Sequence, residues 1–445
     1  MKSSSISRTL ELAKLAARVG LKELQSGDLK SRYDQAVIIA KSLSNLKGAA
    51  MKMGQILSLD LDNYFPPEAI EVLSQLQNAA VAHSFEEMEQ ILKSELTLED
   101  FQSLQGLSKS PLGVASIGQV HKAKFQDQDI VLKIQYPGVA TSIESDLKIL
   151  RTLAVSFCQM TGRKMNLEPL FQEFRSILEQ ETDYSLEASF QKQFQDRIKT
   201  LNAAGHFSYR VPTVIDELST QRVLAMSFES GVTLRSWTNS KPNKEDRESV
   251  ARAILDLYFH EFFEWGLVQT DPNWGNFLID RRDGKLSLCL LDFGATRAYT
   301  TEFIKNYICL LEFAANKESS KLKSHAIDFG LIDARESQEA FVAFENMLST
   351  AIKPFFAKSA GKTYFDFSDR NHALESQSAS KALAAELIYS PPPYSLIFLH
   401  RKLAGVYSVL KSLEVKLDIS PYWHMMRDLS EKPGPLAESL KESVN

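Results

Sequence analysis

Cysteine is scarce. Cys158, Cys289 and Cys309 are the only three in 445 residues, and none forms a CxxC pair or stands near histidines at zinc-finger spacing. This argues against a disulfide framework or a structural zinc site and favours a reducing compartment. Each cysteine sits in an apolar or amphipathic run, as a small core residue does. Long apolar runs are missing too: no stretch of about 18 apolar residues occurs, so the sequence offers no transmembrane helix. The first twenty residues have no apolar h-region and do not read as a secretory signal. Their single acid, Glu11, leaves a basic transit peptide open. Histidines are few, and His121, His260 and His400 form no metal-spaced pair, so they read as core or surface residues.

What remains is ordinary globular material, 44% hydrophobic and 24% charged, which excludes disordered and collagenous classes. The length suits one large two-lobed domain or two to three lobes. Charge is uneven. Residues 1–52 hold ten Lys/Arg against four Asp/Glu, a balance of +6 in a chain whose net charge is −5. An acidic surface, such as anionic lipid headgroups, fits that basic end as partner. Apolar residues from Ile6 to Leu24 recur at helical spacing, which predicts a helix over 5–25. It reads either as a basic amphipathic helix on a membrane or as a helix packed on its own domain. Nothing calls for a nucleic-acid partner.

Further helices are expected at 34–59, 68–78 and 84–95, so residues 1–105 form a helical extension. Near residue 110 the texture changes. Val114–Phe125 and Ile130–Gln135 predict a hairpin, residues 139–200 return to helix, and Val211–Ile215 and Arg222–Phe228 read as strands. A long helix over 245–265 precedes two short β segments, Leu267–Ile279 and Leu286–Asp292. The remainder, from 300 to about 425, is helical apart from Pro391-Pro392-Pro393. The fold class is α+β. A small lobe over 106–230 carries a helical insertion at about 139–168, a large lobe covers 231–445, and a cleft is expected between them.

Four segments carry chemistry. Gly113-Val114-Ala115-Ser116-Ile117-Gly118 is a small-residue run inside the expected hairpin. Small side chains let backbone amides approach phosphates, although ordinary turns look the same. Lys133 stands in the apolar strand Ile130–Ile134, where an ammonium is costly unless it meets an anion or reaches solvent from an edge. Asp271 and Asn276 have the D-x-x-x-x-N spacing of a kinase catalytic loop. In that chemistry a carboxylate orients or deprotonates the nucleophile and an amide oxygen binds Mg²⁺. Asp292-Phe293-Gly294 ends an apolar strand sixteen residues after Asn276, and its carboxylate is a hard oxygen ligand suited to Mg²⁺. The four in this order point to Mg-ATP and a protein-kinase-like fold. Either Glu181 or Glu187 could pair with Lys133; spacing does not choose between them.

At these residues the chain resembles the UbiB/AarF family of atypical kinases, proteins linked to ubiquinone biosynthesis. The resemblance runs from about residue 45 to 425. It is carried by Lys52-x-Gly54-Gln55 (KxGQ), ASIGQVH at 115–121, KIQYPGV at 133–139, Glu144-Ser145-Asp146, ETDYSLEA at 181–188, QTDPNWGN at 269–276, LLDFGATR at 290–297 and LHRK at 399–402. The QTDPNW form is closer to the coenzyme Q branch than to the commoner HADPHPGN form. The resemblance implies Glu181 as the partner of Lys133 and Glu187 as a second acid by the nucleotide. It implies Ala115, Ser116, Ile117 and Gly118 as the nucleotide loop, Asp271 at the catalytic position, and Asn276 with Asp292 as Mg²⁺ ligands. Lys52 and Gln55 would reach over the pocket as a lid, which suits ATP hydrolysis or a small lipid-like substrate better than protein phosphorylation. The resemblance further implies isoprenoid lipid and quinone-biosynthesis proteins as partners. It implies a cytoplasmic place peripheral to an inner membrane, with the mitochondrial matrix also open.

Two features qualify the match. The family's alanine run before Ser116 is replaced by Gly113-Val114-Ala115, whose extra backbone freedom bears on nucleotide affinity. No APE-type segment follows the DFG, in line with the family and against a protein kinase. An aminoglycoside-phosphotransferase-like kinase is disfavoured by the family motifs. The principal alternative is a non-catalytic module in which nucleotide switches a lipid- or protein-binding surface. His400-Arg401-Lys402 reads as structural, pairing with acids of the large lobe.

Overall fold

The structure, a computed structural model, describes residues 83–160, 166–203, 207–282, 284–356, 364–390 and 394–431. The helices expected at 5–25, 34–59 and 68–78, together with Lys52, Gln55 and Pro391–Pro393, lie outside the described residues. The chain divides into two compact units. Among the described residues, one comprises those from 83 to 186 together with Val214–Phe228, and the other those from 187 to 213 and from 229 to 431.

The first unit opens with α1 (Phe85–Glu95), whose start is fixed by a capping box: Ser84 accepts from the Glu87 N–H, and Glu87 accepts from the Ser84 N–H. Its buried face is Met88, Ile91 and Leu92, at helical spacing. After the short α2 (Leu98–Ser103) come β1 (Gly113–Val114), β2 (Gly118–Phe125) and β3 (Gln128–Gln135). β2 and β3 form the expected hairpin, and its two-residue turn places Gln126 and Asp127 at positive φ (48° and 63°), the twist-matched hairpin geometry. With β5 (Val223–Ser227) they complete an antiparallel sheet of order β1-β2-β3-β5. Every residue from Ile130 to Gln135 is buried, as a central strand covered on both faces requires. Helices α3 (Val139–Met160) and α4 (Glu168–Glu181) follow β3, so the expected helical segment is present. Helix α5 (Tyr184–Ala203) starts in the first unit and continues in the second.

The second unit contains a sheet of order β4-β9-β8-β6, from β4 (Ser208–Arg210), β6 (Val232–Thr233), β8 (Phe277–Arg282) and β9 (Lys285–Leu290). The strand expected at 211–215 is displaced. The ladder uses 208–210, paired parallel to β9, while Val214 makes only an isolated bridge to Met226; Pro212 has no N–H to continue the ladder. Helices α6 (Leu234–Asn239) and α7 (Lys244–Phe259) follow, α7 capped by Asn243 and continued by a π-helical turn, His260–Glu264. A small antiparallel pair joins β7 (Leu267–Gln269) to β10 (Thr296–Ala298). The rest is α8 (Thr301–Ala315), α9 (Ser319–Asp328), α10 (Gln338–Ile352), α11 (Arg370–Glu386), α12 (Tyr394–Ser412) and α13 (Ser420–Glu431). One short hairpin interrupts this helical region, β11 (Tyr364–Asp366) on β12 (Lys416–Asp418). Phe262 lies at its aromatic core, edge-on to Tyr299 and Tyr307. Cys289 is buried in β9 and Cys309 half-buried in α8, both unpaired.

Candidate active site

The candidate residues fall into two groups. Ala115–Gly118, Lys133 and Glu181 belong to the first unit, and Glu187, Asp271, Asn276 and Asp292 to the second.

In the first unit the small-residue run forms a tight turn between β1 and β2, closed by the Ala115 N–H donating to the Gly118 carbonyl (2.8 Å). Gly118 has no alternative residue: a Cβ there would stand 2.5 Å from the Ile134 carbonyl oxygen and 2.6 Å from the Tyr184 hydroxyl. Lys133 pairs with Val120 on one side and Leu224 on the other, so it is central rather than on an edge, and it is buried. Its Nζ lies 5.1 Å from the Tyr184 ring centroid, within cation–π reach. Glu181, also buried, is the last residue of α4. Two residues after Lys133, Gln135 donates through Nε2 to the Thr182 carbonyl (2.8 Å), which ties the end of α4 to the strand that carries the lysine.

Two residues of ASIGQVH do something that the motif did not announce. Gln119 and His121 are fully buried. The Gln119 amide clamps the His83 backbone, accepting from its N–H (3.1 Å) and donating to its carbonyl (3.4 Å). Gln119 Nε2 also donates to His121 Nε2 (2.8 Å), which assigns Nε2 as the acceptor and Nδ1–H as the donor to the Ser108 carbonyl (2.7 Å). His121 is thus a core residue, one of the two readings, core or surface, that its isolation in the sequence left open. The clamp fixes the chain at residue 83, one residue before the capping box.

In the second unit Asp271 follows β7 in an irregular loop. Its Oδ2 accepts from Asn276 Nδ2 (2.9 Å), and its Oδ1 accepts from Arg401 Nη2 (3.2 Å). The hydrogen bond commits the Asn276 amide nitrogen to Asp271, so Oδ1 is the side-chain atom left with the chemistry of an oxygen donor. The Asn276 carbonyl accepts from the Leu291 N–H (2.9 Å), which brings the residue before Asp292 onto the loop. Asp292 Oδ1 accepts from the Gly294 N–H (3.0 Å). Phe293 packs on Phe194 of α5 with ring centroids 4.9 Å apart. Glu187, buried in the first turn of the same helix, accepts from the Phe293 N–H (3.4 Å). Asp271, Asn276, Asp292 and Glu187 therefore form one connected group.

Helix α12 supports this group from below. Arg401 holds Asp271, and Lys402 forms a buried ion pair with Glu261 of the π-helical turn (2.9 Å) while donating to Gln269 Oε1 (3.3 Å). The expected pairing of this segment with acids is present, but its specific target, Asp271, was not legible: 130 residues separate the two. Burial raises the Glu261 carboxyl to about 6, with Lys402 opposing the shift. Gly405, one turn along α12, lies against the loop so closely that a Cβ would come within 2.2 Å of Pro272 Cβ.

Residues 75–326 match the family model of the ABC1 atypical kinase-like domain. The chain is 32% identical to the probable serine/threonine-protein kinase abkA of Dictyostelium discoideum, covering 97% of this chain and 80% of that one. It is 32% identical to the mitochondrial atypical kinase COQ8B of Rattus norvegicus (91% and 77% covered) and 30% identical to the mitochondrial atypical kinase COQ8 of Saccharomyces cerevisiae (91% and 81%). Among solved structures, the Rv3197–erythromycin complex from Mycobacterium tuberculosis shares the fold, with a TM-score of 0.58 at 24% identity over 88% of this chain and 95% of that one.

Proposed function

The chain belongs to the ABC1 atypical kinase-like family, and from that premise we propose that it binds Mg-ATP and transfers or hydrolyses the terminal phosphoryl group in support of ubiquinone biosynthesis. The observation that carries this reading is the bonded group in the second unit: Asn276 joined by its side chain to Asp271 and by its carbonyl to the strand that delivers Asp292.

Phosphoryl transfer asks a protein for positioning and charge more than for covalent chemistry. Lys133, with Glu181 to orient it, supplies a fixed cation for the α- and β-phosphates, and the 115–118 turn presents backbone rather than bulk. Asn276 Oδ1 and the Asp292 carboxylate would hold Mg²⁺, which when bound neutralises phosphate charge. The donor set fits. One amide plus one carboxylate suits an ion that takes its other ligands from phosphate and water. Asp271 orients the nucleophile, either water or an acceptor hydroxyl, with the lone pairs left over from Arg401 and Asn276. Glu187, bonded to the backbone of Phe293, holds the DFG segment in register.

The mitochondrial COQ8 names of the relatives support a role in quinone formation and a mitochondrial place; a position peripheral to an inner membrane, at its matrix or cytoplasmic face, is part of the same proposal. No helix among the described residues is long and apolar enough to cross a membrane. The basic segment 1–52 supports contact with anionic or isoprenoid lipid, and quinone-biosynthesis proteins are the expected partners. Lys52 and Gln55, which lie outside the described residues, are proposed as a lid on the strength of the family resemblance. A second reading, a nucleotide-switched binding module without turnover, draws on one feature: both oxygens of Asp271 are already engaged.

Mg²⁺-dependent ATP hydrolysis by the full chain, with and without anionic liposomes, separates the two. The first reading expects turnover that rises with liposomes and falls by roughly 10²-fold or more in Asp292→Asn. Turnover unchanged in that variant overturns the site. Tight Mg-ATP binding without turnover in the native chain transfers the case to the switch.

A further inference from the structure

The second unit contains a cavity of about 380 Å³ between α7, α8, α10, α11, α12 and α13, with Phe259, Tyr307, Leu348, His372, Leu403 and Tyr407 among its walls. That volume lies in the range of small-molecule sites, roughly 300–1,000 Å³. None of the described residues that line it is Asp, Glu, Lys or Arg. A charged occupant would find no counter-charge there. Apolar voids stay dry and take up apolar molecules, because water gains too few hydrogen bonds in them and an unfilled wall forfeits dispersion contacts.

Two wall residues are polar in a way the fold does not use. His372 Nδ1 and the Tyr407 hydroxyl are both buried and make no hydrogen bond within the protein, and their ring centroids lie only 5.8 Å apart. Buried polar atoms are normally paired. Burial, assisted by Lys353, holds the His372 imidazole below its ordinary pKa, so it is neutral near pH 7 and one ring nitrogen is an acceptor. We propose that this cavity is a binding site for a neutral, apolar small molecule that carries one hydroxyl or carbonyl oxygen, its hydrocarbon body against Phe259, Leu348 and Leu403 and its oxygen toward His372 and Tyr407. The site stands independently of the phosphoryl-transfer reading, since it rests on none of the residues assigned to that reaction.

Met347 and Met426 also line the cavity, which provides a local reporter in the native chain. The full chain is labelled with ¹³C at its methionine methyls, with Met347 and Met426 assigned through Met347→Leu and Met426→Leu, and titrated with 1-naphthol. Naphthalene, which has the same ring body without the hydroxyl, is the second probe. The expected result is saturable movement of the Met347 and Met426 resonances, with naphthalene binding about tenfold more weakly, the worth of one buried hydrogen bond. In the double variant His372→Phe/Tyr407→Phe the two probes come to within about twofold of each other. Saturating 1-naphthol that leaves both methyls unmoved, or moves only other methionines, overturns the site. Equal binding of the two probes by the native chain overturns the assignment of the oxygen.

Discussion

In the first unit Lys133 stands in the middle of a sheet whose register is set by backbone hydrogen bonds to β2 and β5, whereas in the second unit Asp271 stands in a loop held by a guanidinium from a helix 130 residues away. The first arrangement is fixed by geometry: strand period, a two-residue turn, and a glycine where β2 meets Ile134 and Tyr184. The second is fixed by charge, through Arg401–Asp271 and Lys402–Glu261, with a glycine that lets α12 approach Pro272. A backbone-held residue tolerates changes in its neighbours' charge but not in their bulk. A charge-held residue is vulnerable to loss of either partner.

Removing one ion partner tests this most severely. Lys402→Met leaves Glu261 buried and without its cation, and the expected loss is about 3–5 kcal/mol of unfolding free energy, read by denaturant titration. Lys199 and Asp196, an exposed pair, provide the contrast, since exposed pairs contribute under about 1 kcal/mol. A loss in Lys402→Met no larger than in Lys199→Met would remove the distinction.

On the geometric side, Gly118→Ala is expected to cost about 1–3 kcal/mol by overpacking. The Ile134 carbonyl belongs to the central strand and cannot yield without disturbing the register beside Lys133. Thermal unfolding of the variant, together with its affinity for Mg-ATP, checks this. An unaffected melting temperature would mean that the turn is looser than the contacts imply.

The two kinds of support also differ in pH response. The Glu261 pKa is raised to about 6 from an ordinary value of 4.5. A raised folded-state value means that the protonated form is the one the fold favours, so this group's contribution is fully present below about 4.5 and is lost as pH rises through about 6, up to about 2 kcal/mol in all. Glu261→Gln should flatten that part of the stability profile between pH 4.5 and 6.5, leaving a slope difference from the native chain. Parallel profiles would show that Lys402 fully compensates the burial.

Much of the candidate site was legible because its signals are local. A lysine in an apolar run, D-x-x-x-x-N, and a strand ending in DFG are each read within ten residues, and the hairpin is read from two neighbouring β-rich segments, although its turn at Gln126-Asp127 holds no glycine. The strand near 211 was misplaced by three residues because only tertiary pairing with β9 decides where a short edge ladder begins. The work of Gln119 could not be read either: in sequence it is a polar residue in a strand, and its partner is a backbone 36 residues away.

The sequence by itself determined the order of chemical groups and the α+β class, since these depend on residue type and short-range spacing alone. Only the tertiary structure decided that Lys133 is central rather than marginal, that Arg401 takes Asp271 and Lys402 takes Glu261, and that six helices leave between them a cavity whose described lining residues carry no charge. Each of those depends on elements far apart in the chain meeting at atomic distance, and side-chain periodicity says which face of a helix is apolar without saying what will lie against it.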